Sequence, residues 1–307
     1  MKEHQSRKKT ACEAVSEPNA SRAESQKPLA PGLYLTATPI GNAGDVTLRA
    51  LEVLRGCDAI AAEDTRVTSR LLAIYAISRP LLPYNDHNAA GTRPKLLARL
   101  RQGERIALVS DAGTPLVSDP GFKLVREAVS EGLSVWAIPG ASAVLAALTL
   151  SGLPSDRFLF AGFLPPRAGE RRTVLEELKP VRASLVFFES APRLVDSLAD
   201  MLTVLGPRPA TIARELTKLH EEIRRSTLAE LASHYAQAGP PRGEIVIVIG
   251  ADTRAEPDFA CADSLLDQAL AFMPVRAASD LVAEALGLPR RALYARALAR
   301  KDGALDD

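Results

Sequence analysis

From residue 32 onward the chain alternates short runs of small aliphatic residues with longer stretches of helical period, and turn residues punctuate the junctions. Runs at 33–37, 59–62, 106–109 and 135–138 read as strands. Helices are expected over about 48–54, near 68–75, from Asp119-Pro120 onward, and up to about Leu150. Asp119-Pro120 has the form of an N-cap followed by proline at the first helical position. Strand, loop and helix repeated in this way predict a largely parallel sheet covered by helices on both faces. The order of its strands is left open.

Gly152-Leu153-Pro154-Ser155-Asp156 breaks that rhythm and reads as a hinge, dividing an α/β domain at 32–153 from a second, mixed α/β domain at 154–251. The second domain should hold strands at 158–160, 184–188, 210–214 and 244–249, with helices from about Glu170 and over 194–205. The run 244–249 is apolar after Glu244, as a strand buried on both faces should be. Residues 251–263 read as a linker, and 264–301 as a small helical module of helix-turn-helix proportions. Its last helix carries Arg290, Arg291, Arg296, Arg300 and Lys301. That row is either a phosphate-tracking surface or the solvated face of a packing module.

Composition narrows the function. The chain has 307 residues, enough for two domains, and its 38 basic and 37 acidic side chains leave a net charge of +1. A globally basic nucleic-acid coat is excluded, so any contact with a polyanion must be local. Residues 1–31 are polar and mixed in charge and read as a disordered tail without the apolar stretch of a signal peptide. No apolar run reaches the roughly 18–20 residues of a membrane helix. The 3 cysteines are far apart, which suits a reducing cytoplasm and argues against a structural zinc site; no metal is expected.

In open α/β sheets ligands bind beyond the carboxyl ends of the strands. The loops there are unusual in composition. Thr38–Asp45 carries two glycines and a proline, yet matches neither a dinucleotide fingerprint nor a P-loop. Ser110-Asp111-Ala112-Gly113-Thr114-Pro115 sets a carboxylate beside exposed backbone, an arrangement suited to a nucleoside; the plainer reading is a capped turn. Pro139-Gly140-Ala141-Ser142-Ala143 leaves room for a flat ring, or caps a helix through Ser142. Glu63-Asp64-Thr65-Arg66 offers paired acids for proton transfer, or a helix cap with Arg66 as its partner. Asn85-Asp86-His87-Asn88 reads as loop capping. Arg214-Glu215-Leu216-Thr217-Lys218 either faces the cleft or forms an internal ion pair, and Glu189-Ser190 is a weaker case of the same kind.

Taken together these segments resemble the tetrapyrrole-methylase superfamily, and within it the branch that methylates a cytidine ribose 2′-hydroxyl in the decoding region of small-subunit ribosomal RNA. The resemblance rests on TPIGNAGDVTLRALEVL (38–54), AAEDTR (61–66), DHN (86–88), ALVSDAGTPLVSDPG (107–121), GLPSDRFLFAGFLP (152–165), ARELTK (213–218), RGEIVIVI (242–249) and VRAASDLVAEALGLPRRALYARAL (275–298). It implies a two-domain fold, a homodimer, and S-adenosylmethionine (AdoMet) held between the domains. The implied AdoMet contacts are Pro39, Asp111, Gly113, Thr114, Ser142 and Ala143, joined by Leu164 and Glu244 from the second domain. On this reading Asp64 or Glu215 accepts the hydroxyl proton, and Arg214 or Lys218 holds the adjacent phosphate. Arg167, Arg171 and Arg172, with Arg290 and Arg291 on the terminal helix, form the RNA-binding patches. Alternatives are a tetrapyrrole acceptor of the uroporphyrinogen or precorrin type, a modified histidine on a protein, or an RNA-binding assembly factor without catalysis.

Overall fold

The computed structural model describes residues 28–251 and 259–303, so most of the expected N-terminal tail lies outside the described residues. In the first domain β1 (Gly32–Thr36), β2 (Ala59–Ala62), β3 (Leu81–Pro83), β4 (Arg105–Val109) and β5 (Val135–Ile138) form one sheet in the order β3-β2-β4-β1-β5. Every neighbouring pair is parallel. Helices α1 (Leu48–Gly56), α2 (Thr65–Ile74), α3 (Ala89–Arg101), α4 (Phe122–Ser130) and α5 (Ala143–Ser151) make the connections.

Strand side chains alternate between the two faces, and both faces are covered. Tyr34, Ile60, Ala62, Ala107 and Val109 pack with Ala50, Val53 and Leu54 of α1. Leu33, Ala61, Ile106 and Leu108 pack with Leu96, Leu97 and Leu100 of α3 and Leu124 of α4. One boundary departs from the sequence expectation. Helix α4 begins at Phe122 behind Gly121 (φ 135°), with no side-chain cap, so Asp119-Pro120 is not its start. The chain before it is left-handed at Leu116 and Ser118.

The second sheet contains β6 (Phe158–Phe163), β7 (Ser184–Ser190), β8 (Pro209–Arg214), β9 (Glu222–Thr227) and β10 (Glu244–Ile249) in the order β6-β7-β10-β8-β9. It is mixed: β6 runs parallel to β7, and the remaining pairs are antiparallel. Helices α6 (Ala168–Leu178), α7 (Leu194–Leu205) and α8 (Leu228–Ala238) cover one face, where Ile245, Ile247 and Ile249 are buried. The opposite face of β10, Val246 and Val248, packs on Ile40 and on Val144, Ala147 and Leu148 of α5. The two domains therefore share a core, and an apolar run at 245–249 is what a strand buried on both sides requires.

Helices α9 (Phe259–Leu270), α10 (Val275–Leu286) and α11 (Arg290–Gly303) bury Leu266, Val282 and Leu293 among themselves. The expected linker is shorter than 251–263, because α9 already begins at Phe259.

At the amino-terminal edge of the first sheet Asp58 accepts from the Arg105 backbone at 2.8 Å and from its guanidinium at 2.5 and 2.9 Å. Those bonds hold the Asp58 carboxyl at about 2, below its usual 3.8. A carboxylate depressed in the folded state stabilises above its unfolded value and loses that contribution as pH falls through the folded one. Asp58→Asn should thus lower Tm modestly at neutral pH, the pair being partly solvent-screened. The gap to the parent should close as melts are repeated from pH 3.8 toward about 2.

Candidate active site

The loops leaving β1 and β4 are tied by a two-way backbone bridge. The Thr38 N–H donates to the Gly113 carbonyl at 2.9 Å, and the Gly113 N–H to Thr38 at 3.1 Å. These strands are parallel neighbours, so both loops leave the carboxyl edge of the sheet side by side. A cleft of about 480 Å³ opens there against the second sheet. Gly113, Thr114, Ser142 and Ala143 wall it on one side, and Phe188, Ala213, Leu216 and Val246 on the other.

Local backbone demands explain its floor. Gly113 sits at φ +82°, and a Cβ there would stand 3.3 Å from the Ile40 side chain. A Cβ on Gly140 would meet the Ala37 methyl at 2.8 Å. Ser142 caps α5 by accepting from the Leu145 N–H at 3.4 Å, and the Thr114 hydroxyl donates to the Ala141 carbonyl at 3.2 Å. Backbone is thereby brought close to the ligand space from two strands.

The charge of the cleft is one-sided. Asp119, Glu189 and Glu244 line it, and among the described residues no Lys, Arg or His does. Glu189 is buried and fully engaged, accepting from the Ser190 N–H at 2.7 Å and the Ser197 hydroxyl at 2.5 Å, with Arg193 at 3.3 Å. Glu244 accepts from Lys218 Nζ at 2.8 Å. Burial first, then the charge of Asp111, pushes the Asp119 carboxyl up, against a hydrogen bond with Ser110 that lowers it. Arg193 and Lys218 offset Glu189 and Glu244 from behind the lining, so the negative charge left facing the cleft is that of Asp119, and it favours a cation.

Residues 32–232 match the model of the tetrapyrrole (corrin/porphyrin) methylases. The chain belongs to that family. Residues 256–301 match the RsmI C-terminal HTH domain. The chain is 54% identical over 277 residues to ribosomal RNA small subunit methyltransferase I of Mesorhizobium japonicum, covering 90% of this chain and 94% of the relative. The protein of the same name from Escherichia coli O157:H7 is 45% identical over 270 residues, covering 87% and 94%. Among solved structures, diphthine synthase has the same fold with a TM-score of 0.57 at 17% identity, covering 71% of this chain and 89% of that one. Uroporphyrin-III C-methyltransferase of Thermus thermophilus, complexed with S-adenosyl homocysteine, gives 0.52 at 22% identity, covering 73% and 99%.

Within this tetrapyrrole-methylase cleft Gly113, Thr114, Ser142, Ala143 and Glu244 stand together as the sequence suggests. Pro39 is buried and Asp111 exposed, and neither is part of the lining. Leu164 is 2% exposed in the core under α6 and α7, so its side chain does not reach the cleft. Asp64 is an N-cap: it accepts from the Arg66 N–H at 2.8 Å and pairs with that guanidinium at 2.6 Å, which holds its carboxyl well below the usual range. Glu215 accepts from the Glu244 N–H and from Lys218 Nζ, both at 2.9 Å, and is likewise held low. Neither acid is part of the cleft lining, and each is already engaged by a cation, Arg66 or Lys218.

The cation assignments divide similarly. Lys218 lies between Glu215 and Glu244, while Arg214 holds Glu222 at 3.0 Å and the Arg242 carbonyl at 3.0 Å. Arg171 is buried against Asp200 at 2.5 Å and is closed to phosphate; Arg172 binds the same carboxylate at 2.6 Å. Arg167 is exposed beside Glu170. On α11, Arg296 and Arg300 bind Asp263 and Asp267 of α9, whereas Arg290 and Arg291 are exposed, Arg290 at 4.0 Å from Asp280. Phe163 and Phe188 are among the lining residues that sequence reasoning did not assign to the site, and Asp119 was read there only as a helix cap. The signal that could have placed Asp119 in the site was its position inside the string 107–121.

Proposed function

We propose that the chain is an AdoMet-dependent methyltransferase acting on the ribose 2′-hydroxyl of a cytidine in small-subunit ribosomal RNA. The observation that carries the donor is the cleft itself, glycine-floored at Gly113 and walled by carboxylates without a lining cation. When bound, AdoMet supplies an electrophilic methyl group on a positively charged sulfur. Gly113 and Thr114 with Ser142 and Ala143 would hold it, and the Asp119 carboxylate would favour the charged donor over its neutral product. The ribosomal acceptor is supported by the names of relatives that match through the C-terminal module as well as the catalytic domains.

Arg290 and Arg291 at the start of α11 are the exposed cations of that module best placed to meet phosphate. A ribosomal substrate suits a reaction in the cytoplasm. No helix among the described residues is long and apolar enough to cross a membrane. A homodimer is supported by large apolar side chains exposed on the edge strands β5 and β6 and on α5: Trp136 is 44% exposed, Phe158 42% and Leu145 52%.

The test is transfer of labelled methyl from AdoMet to purified small subunits, followed by digestion to nucleosides. Label is expected in 2′-O-methylcytidine, and charge reversal of Arg290 and Arg291 together should weaken binding of the subunit. Label confined to a base, or none at all, overturns the reading.

A further inference from the structure

We propose that Asp119 is the proton acceptor of the transfer, the group that takes the hydrogen of the attacking ribose hydroxyl. The inference deepens the reading above and rests on it. Of the carboxylates that line the cleft, Glu189 is spent on Ser190, Ser197 and Arg193, and Glu244 on Lys218. Asp119 is the lining carboxylate with no cationic partner among the described residues.

Its position is built at a cost. Leu116 at φ 74° and Ser118 at φ 67° are both left-handed, a conformation that non-glycine residues, and bulky ones above all, avoid. The missing Cβ of Gly121 offsets this, for a Cβ there would meet Leu108 at 2.9 Å and Leu116 at 3.2 Å. The Leu116 side chain fills that gap and pins the loop. Ser118 in turn reaches the second domain, where a Cβ on Gly162 would stand 3.5 Å from its hydroxyl. Asp119 follows Ser118 directly in the chain and lines the cleft beside Gly113 and Thr114.

The surroundings suit the task. Burial and the charge of Asp111 raise the proton affinity of Asp119, and Asp119 in turn helps raise Glu63 on the loop after β2. Glu189 and Glu244 face the same cleft, each already neutralised by its own cation. In the transfer the hydroxyl oxygen gains a bond to the methyl carbon as its O–H bond breaks. The proton passes to an Asp119 carboxylate oxygen, and the methyl–sulfur bond breaks with its electron pair remaining on sulfur. One positive charge is lost at sulfur and one negative charge at the carboxylate. General-base assistance of this kind is worth about 10²–10⁴ in rate.

The experiment compares the parent chain with Asp119→Asn and Asp119→Glu. Single-turnover methyl transfer to small subunits is followed across pH, and AdoMet affinity is measured separately by calorimetry. The Asn variant should lose about a hundredfold or more in rate and keep its AdoMet Kd within about threefold. The parent should show an acid limb in its rate profile, retained by the Glu variant at reduced rate and absent from the Asn variant. An Asn variant within about threefold of the parent rate overturns the proposal, as does an AdoMet Kd that weakens in step with the rate. A parent that binds AdoMet yet transfers no methyl to the subunit overturns the ribosomal reading itself, and this assignment with it.

Discussion

Gly113→Val should weaken AdoMet binding by about a hundredfold or more, close to 3 kcal/mol by the usual conversion. A β-branched residue at φ +82° is strained by its own backbone, and its Cβ starts 3.3 Å from Ile40. Relief means rotating residue 113, and that breaks the exchange of hydrogen bonds with Thr38 which joins the two ligand-facing loops. Gly113→Ala meets the same backbone penalty with one methyl group and should lose less. Calorimetric titration of both variants, with thermal melts to confirm that each remains folded, checks the ranking. Equal and undiminished affinity in both would mean that the Gly113 turn does not shape the donor site.

Asp200→Ala should produce the largest loss of stability. The Asp200 carboxylate is 4% exposed and pairs with Arg171, which is 5% exposed, and with the more accessible Arg172. Removing it strands a guanidinium in the core beneath α6 and α7, a change that costs about 3–5 kcal/mol. For a unit of this size that corresponds to a fall in Tm of about 10 °C or more. Arg172→Ala leaves the buried pair intact and should cost far less. Replacing both buried partners with apolar residues, Arg171→Met with Asp200→Leu, should recover much of the loss, because the penalty belongs to the unpaired charge. Thermal melts of the set decide it, and a small loss in Asp200→Ala would show that Arg171 finds water or another acceptor.

That pair also marks where sequence reasoning reached its limit. Arg167, Arg171 and Arg172 look alike as a basic patch, yet Arg171 stands one helical turn before Leu175 and shares its buried face. The spacing was legible; the buried Asp200, 29 residues away, was not. Strands such as Ala59–Ala62 and Glu244–Ile249 could be read because burial on both faces makes nearly every position apolar. Helix α3 was missed, since Gly91 and Pro94 interrupt its period, and so was β9, an edge strand whose sequence EIRRST is mostly polar.

The candidate site divides on the same physical lines. Its glycines and small residues were visible because close approach of backbone demands them. Its acids were not, because a carboxylate's role depends on what pairs with it. Asp64 and Glu215 were plausible bases by position, and the structure pairs them with Arg66 and Lys218 outside the cleft lining. Asp119 passed for a helix cap because Asp-Pro is a common helix start, and nothing in the letters of Leu116 and Ser118 announces a left-handed backbone.

Everything functional here depends on the space between the two sheets receiving a sulfonium nucleoside. A crystal of the full chain soaked with AdoMet tests that directly. The expected map shows the donor against Gly113, Thr114 and Ser142, with its sulfur on the side of Asp119. Density for the donor at any other place on the molecule, with this cleft holding only solvent, would contradict it.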